Sequence, residues 1–129
     1  MSHTNAISWF EIPVTDIDRA QRFYETVIGQ PMRRELFPMG DKVYPLALFP
    51  ATGEGAKGCL QSGHDTLQST TQGSLVYLSC GPSLDAAVAR ATAAGGSVLK
   101  TRVTLPPGMG FFAHVQDLDG NRVGLHALA

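Results

Sequence analysis

Glu11 and His126 are the two side chains of this sequence best suited to moving a proton, and each lies in a short β-rich run. In Ile7 to Val14, Phe10, Ile12 and Val14 alternate with Trp9, Glu11 and Pro13; in Arg122 to Ala127, Val123 and Leu125 alternate with Arg122, Gly124 and His126. Successive strand side chains point to opposite faces, so Glu11 shares a face with Trp9, and His126 with Arg122 and Gly124, away from the apolar sets. A carboxylate in contact with an imidazole fixes its tautomer and raises its pKa, which makes a general acid/base pair where aromatic walls limit water. The same two groups could instead hydrogen-bond a ligand. Trp9 and Phe112 are candidates to stack on one. Phe112 and His114 fall opposite the core-type Phe111, Ala113 and Val115, with His114 as a hydrogen-bonded wall residue.

Ordinary roles compete with these. Glu11 in an apolar strand is costly to bury alone and could pair with Arg122 or Lys57. His126 could simply be solvated, and His3 and His64 sit in polar segments where a surface role is expected. Trp9 and Phe112 also suit plain packing. Cys59 lies on the Glu11 side of its strand, but no base stands beside it in sequence to activate a thiol.

The elements that must position these groups come in two copies. Asp18 to Gly29 and Asp85 to Gly96 each run from an acidic residue through a helical apolar pattern to a glycine, 67 positions apart (18 to 85). A later pair, Gly55 to Gln61 and Gly120 to His126, follows at 65 (55 to 120), so one loop differs in length. A unit this long, present twice, does not suit a solenoid, which needs about three units to bury its core. Two copies closing on each other instead leave a cleft at their junction.

In the first copy the Ile7 to Val14 strand leads to a helix capped by Thr15 or Asp16, with Ile17, Ala20, Phe23, Tyr24, Val27 and Ile28 inward and Gly29 closing it. Three strands follow: Met32 to Phe37, Val43 to Phe49 and Gly58 to Gln61, separated by Pro31, Pro38 to Gly40, Pro50 and Gly53 to Gly55. The second copy repeats the plan: a strand from Leu75 to Cys80, a helix capped by Ser83, and strands Ser97 to Thr104, Phe111 to Gln116 and Arg122 to Ala127. The expected architecture is α+β, two βαβββ modules forming a cleft-containing open barrel. Module 1 covers about residues 5–61, a polar linker about 62–73, and module 2 about 74–129. The repeat makes Gln61 the counterpart of His126 and Tyr77 the counterpart of Glu11. Loops 38–42 and 106–110 are expected to shape the cleft.

At 129 residues, 43% apolar and 16% charged, the chain is one domain with a real core. A net charge of −1 with scattered Lys and Arg argues against nucleic acid or an anionic membrane as partner. No segment reads as a signal peptide or approaches the roughly 20 apolar residues that span a bilayer, so a cytoplasmic location is expected. Two separated cysteines do not make a disulfide framework.

Val14 to Ala20 leading into Phe23 and Tyr24 and a closing Ile28 and Gly29, together with Asp117 to His126, resembles the vicinal oxygen chelate superfamily of glyoxalase I, extradiol dioxygenases and bleomycin-resistance proteins. Trp9 to Pro13, Gly110 to Phe112 and the Gly124 to His126 ending resemble a bacterial glyoxalase-related subgroup. The resemblance implies a curved sheet from each module, a ligand cavity and a homodimer. Metal-dependent members carry His or Glu on the first and last strands of each module. Those positions here fall at Trp9, Gly124 and near Cys59 and Leu75, which do not make a divalent-metal site. No cofactor is therefore expected. The polar residues that remain, Glu11, Gln61, Tyr77 and His126, form a cluster displaced one pleat from that position. Only Glu11 and His126 among them are good metal ligands. The functional expectation is a small-molecule-handling protein, of lyase or isomerase type through Glu11 and His126. The rival expectations are a sequestering protein of the bleomycin-resistance kind and a structural or regulatory dimer with a vestigial cavity.

Overall fold

The computed structural model describes residues 6–39, 41–53, 55, 57–63 and 68–129. His3 and His64 lie outside these. Module 1 runs β1 (Trp9–Pro13), α1 (Ile17–Ile28), β2 (Arg33–Met39), β3 (Lys42–Leu48) and β4 (Lys57–Gln61). Module 2 runs β5 (Val76–Ser79), α2 (Leu84–Ala93), β6 (Ser97–Thr104), β7 (Phe111–Gln116) and β8 (Arg122–Ala127). Each module builds a four-stranded mixed sheet, ordered β1-β4-β3-β2 in the first and β5-β8-β7-β6 in the second. In both, the first strand pairs in parallel with the fourth, and the remaining pairs are antiparallel.

The helices begin and end for local reasons. The Asp16 carboxylate accepts from the Arg19 amide and the Ser83 hydroxyl from the Ala86 amide, each satisfying a helix donor that has no partner in the helix. Gly29 ends α1 at φ 71°, a conformation that costs glycine little. Ala20, Phe23, Tyr24, Val27 and Ile28 of α1 and Leu84, Ala87 and Ala91 of α2 are buried in one core with Ile12, Leu60, Val115, Val123 and Leu125 from the inner sheet faces. The two helices also pack on each other.

One strand differs from the sequence expectation. β2 does not stop before Pro38 but continues through Pro38 and Met39, pairing Pro38 with Val43. The missing amide is tolerated because β2 is an edge strand. The turn between β2 and β3 is correspondingly short, so the expected 38–42 loop is mostly strand.

The modules are tied at the turn after β7. The Tyr24 hydroxyl donates to the Asp117 carboxylate at 2.7 Å, and the Asn121 amide donates to the Pro13 carbonyl at 2.8 Å. Thr15 donates through both its amide and its hydroxyl to Asp119, at 2.9 and 2.7 Å. From α2, Arg90 donates to the carbonyls of Thr26 and Val27 at the end of α1, where a helix exposes unpaired acceptors and favours a cation. Residues 69 and 70 of the connection lie on the same seam, with Ser69 donating to the Pro13 carbonyl and Arg122 donating its amide to the Thr70 carbonyl.

Candidate functional site

The faces turned away from the helices carry the candidate chemistry. Strand pairing puts Tyr77 beside Gly124, Ser79 beside His126, Phe112 beside His126 and His114 beside Gly124, with Arg122 two residues before Gly124 on the same face. Three of these side chains form one hydrogen-bonded chain. The Tyr77 hydroxyl lies 2.7 Å from Nε2 of His114, and Nη1 of Arg122 lies 2.7 Å from Nδ1 of the same ring. His114 is 8% exposed, and its pKa is lowered by burial first and then by the positive charges of Arg122 and Lys100. Phe112 meets Tyr77 edge-on at 5.6 Å between centroids and His114 at 5.4 Å, walling the chain on one side.

Tyr77 lies over Gly124. A Cβ built on Gly124 would stand 2.3 Å from the Tyr77 ring, so any side chain there must expel that ring. Gly124 is the position where metal-dependent relatives would place a glutamate. By the same resemblance the others fall at Trp9 and near Leu75 and Cys59, and the Cys59 thiol is pushed up to about 12 by burial and the nearby Glu11 carboxylate. A cysteine ligates a metal as its thiolate, which this environment disfavours. Among the described residues no three His, Cys, Asp or Glu side chains gather. The residues present do not fit the family's metal centre.

His126 points to the same face but is engaged elsewhere. Its Nε2 lies 2.7 Å from the Met109 carbonyl of the loop after β6, which is held by backbone bonds from Leu105 to Gly110 and Met109 to Pro106. On the first sheet, the Trp9 indole donates to Glu11 at 3.3 Å. No hydrogen bond or ion pair joins Glu11 to His126, Arg122 or Lys57 among the described residues. Gln61 is on the Glu11 face by register but is 1% exposed, and neither end of its amide has a partner among the described residues. Leu46 and Cys59, on that face too, are equally buried.

The expected set thus divides. The structure brings Tyr77, Phe112, His114 and Arg122 together, leaves Trp9 with Glu11 on the first sheet, holds His126 to Met109 and encloses Gln61. Alternation in β7 and β8 had put His114 and Arg122 on one face, but their contact with Tyr77 depends on the β5–β8 register. Two hollows lie nearby. One of about 470 Å3 is lined by Trp9, Phe37, Leu48 and Lys57 on the first sheet and by Pro31 and Pro50 at its rim. Another of about 360 Å3 lies at the seam between Phe10, Phe49, Tyr77 and Ser79.

Paired four-stranded mixed sheets, each from a βαβββ module with its helix on one face, define the class of fold. The sequence pattern of the Glyoxalase/Bleomycin resistance protein/Dioxygenase superfamily matches residues 6–125, and the chain belongs to that family. No curated protein matches it in sequence. Among solved structures, a glyoxalase/bleomycin resistance protein from Albidiferax ferrireducens has a TM-score of 0.66 at 18% identity, covering 94% of this chain and 98% of the other. A glyoxalase I mutant from Zea mays has 0.65 at 19%, covering 94% of this chain; the chain spans 45% of that protein's length. The fosfomycin resistance protein FosX from Listeria monocytogenes has 0.61 at 21%, covering 97% and 94%. At these identities the likeness is one of fold.

Proposed function

We propose that this protein binds a small organic molecule against the face formed by Tyr77, Phe112, His114 and Arg122, with Trp9 as a second aromatic surface on the neighbouring sheet. The observation that carries this reading is the continuous Tyr77–His114–Arg122 chain, a polar network facing away from the core beside an aromatic wall. The network ends in a hydroxyl on a residue that is 48% exposed, where a ligand can reach it, and Tyr77 also lines the seam hollow of about 360 Å3. Hollows with few fixed polar groups on aromatic walls suit small ligands. FosX is described as a fosfomycin resistance protein; no such ligand is carried over to this chain.

Lyase or isomerase chemistry by proton transfer is the second reading. It is favoured by Glu11, a half-buried carboxylate whose only side-chain partner among the described residues is a neutral indole. In that role Glu11 takes a substrate proton, and His126 must first leave the Met109 carbonyl. We also propose a cytoplasmic homodimer. Exposed Trp9, Phe37, Tyr77 and Met109 support the dimer, and two buried free cysteines the location.

A thermal-shift screen of small organic metabolites tests binding. A ligand at 100 times its dissociation constant adds about 2.7 kcal/mol, which is readily seen in a domain of this size. No stabilisation by any compound overturns the reading. For a binder that is also turned over, Glu11→Gln is expected to abolish turnover and spare binding.

A further inference from the structure

The direction of the hydrogen bonds around His114 defines what a ligand must present. A guanidinium has five donors and no acceptor, and it does not lose its proton in proteins. Arg122 therefore donates to Nδ1 of His114 at 2.7 Å, and Nδ1 must carry a lone pair. The imidazole proton then sits on Nε2, and Nε2 donates to the Tyr77 oxygen at 2.7 Å. A second ring proton would point into the guanidinium, consistent with the lowered pKa of His114. The Tyr77 oxygen thus accepts from His114, and its own proton has no acceptor among the described residues.

The charge around this proton has one sign. Arg122 makes no ion pair among the described residues, and Lys100, which pairs with His114 across β6 and β7, makes none either. Two cations without an ion pair among the described residues thus stand about His114, and the ring whose hydroxyl His114 orients lies over Gly124.

We infer that the Tyr77 hydroxyl is a ligand-binding donor and that the site takes an organic oxyanion, a carboxylate, enolate or phosphonate, whose oxygen accepts the Tyr77 proton while the positive charge of Arg122 acts from across the His114 ring. This rests on the binding reading above and narrows it. His114 and Arg122 are positioning residues, since they set the direction of the Tyr77 bond. The Tyr77 ring fills the space that a side chain at position 124 would need.

Two measurements test it. Nitrogen NMR of His114 in the ligand-free protein is expected to show a neutral ring protonated at Nε2 near pH 7, in the wild type and in Tyr77→Phe; a ring protonated at Nδ1 overturns the inference. Benzoate and phenylphosphonate are then titrated against benzylamine and benzyl alcohol, reading the His114 and Tyr77 signals. The anions are expected to shift them, with dissociation constants raised about tenfold in Tyr77→Phe, the size of one hydrogen bond to a charged group. Arg122→Gln, which keeps donors but loses charge, is expected to weaken the anions more than benzyl alcohol; equal weakening of both overturns the oxyanion inference. Tighter binding of benzylamine, or anion binding indifferent to Tyr77→Phe, overturns the oxyanion inference and leaves small-molecule binding intact. If no probe of any charge binds, the oxyanion inference fails, and the binding reading stands or falls by the thermal-shift screen.

Discussion

The two modules place an aromatic ring over a glycine on opposite sides of equivalent sheets. In module 1, Phe10 lies over Gly58, its strand partner, and faces the core with Phe49. In module 2, Tyr77 lies over Gly124, its own partner, and faces away from the helix. Because strand faces alternate with every residue, a shift of one position separates a packing ring from a site ring. On the first sheet's outer face Leu46, Cys59 and Gln61 are buried, the Gln61 amide without a partner among the described residues, whereas the second supports a connected polar chain. A duplicated fold need not carry duplicated chemistry, since one residue of offset decides which half holds it.

The largest expected effect comes from breaking the ring–glycine contact. Gly124→Ala is expected to cost about 2–3 kcal/mol in urea unfolding, because the new methyl must displace the Tyr77 ring. Most of that cost should vanish in a Tyr77→Ala background; a full cost there would show that the ring is not what demands glycine.

Next is the seam joining the modules. Tyr24→Phe removes the hydroxyl that donates to buried Asp117 and is expected to cost about 1–3 kcal/mol. It also carries a pH signature. The Tyr24 pKa is raised well above its ordinary value by burial first and then by Asp117, so the folded state keeps a proton that the unfolded chain releases. Wild-type stability should therefore fall as pH rises past about 10, and the variant should lack that part of the decline.

Gln61→Leu sharpens the contrast from the other sheet. An enclosed amide with no partner is expected to cost about 1–3 kcal/mol, so the apolar replacement should raise the melting temperature. A fall would mean that Gln61 has a partner in solution.

The smallest effect concerns His114. Its folded pKa is lowered, so the unfolded chain takes up a proton first as pH falls below about 6.5, and stability declines from there down to the folded pKa. The difference between wild type and His114→Gln, followed from pH 7.5 to 5, isolates this term. A flat difference would mean that the ring is not held neutral by Arg122 and burial.

Much of the framework was legible along the chain. The helix from Ile17 to Ile28 with its Asp16 cap and Gly29 ending follows from spacing of three and four residues and from capping chemistry. Strands Phe111–Gln116 and Arg122–Ala127 follow from alternation, which also put His114, Arg122 and His126 on one face. The continuation of β2 through Pro38 was not legible, because proline is excluded only where a ladder needs its amide, and edge position is a property of the whole sheet. Nor was the clamp of Arg90 on the end of α1, whose partners lie more than sixty positions away.

The sequence by itself determined the repeat, most of each element and the face of each strand residue, because these depend on residue type and local periodicity. Only the tertiary structure decided that Tyr77 reaches His114, that His126 goes to Met109 and that Gln61 is enclosed. Those outcomes depend on the register between distant strands and on the side of the sheet a loop covers, and periodicity within a strand carries neither.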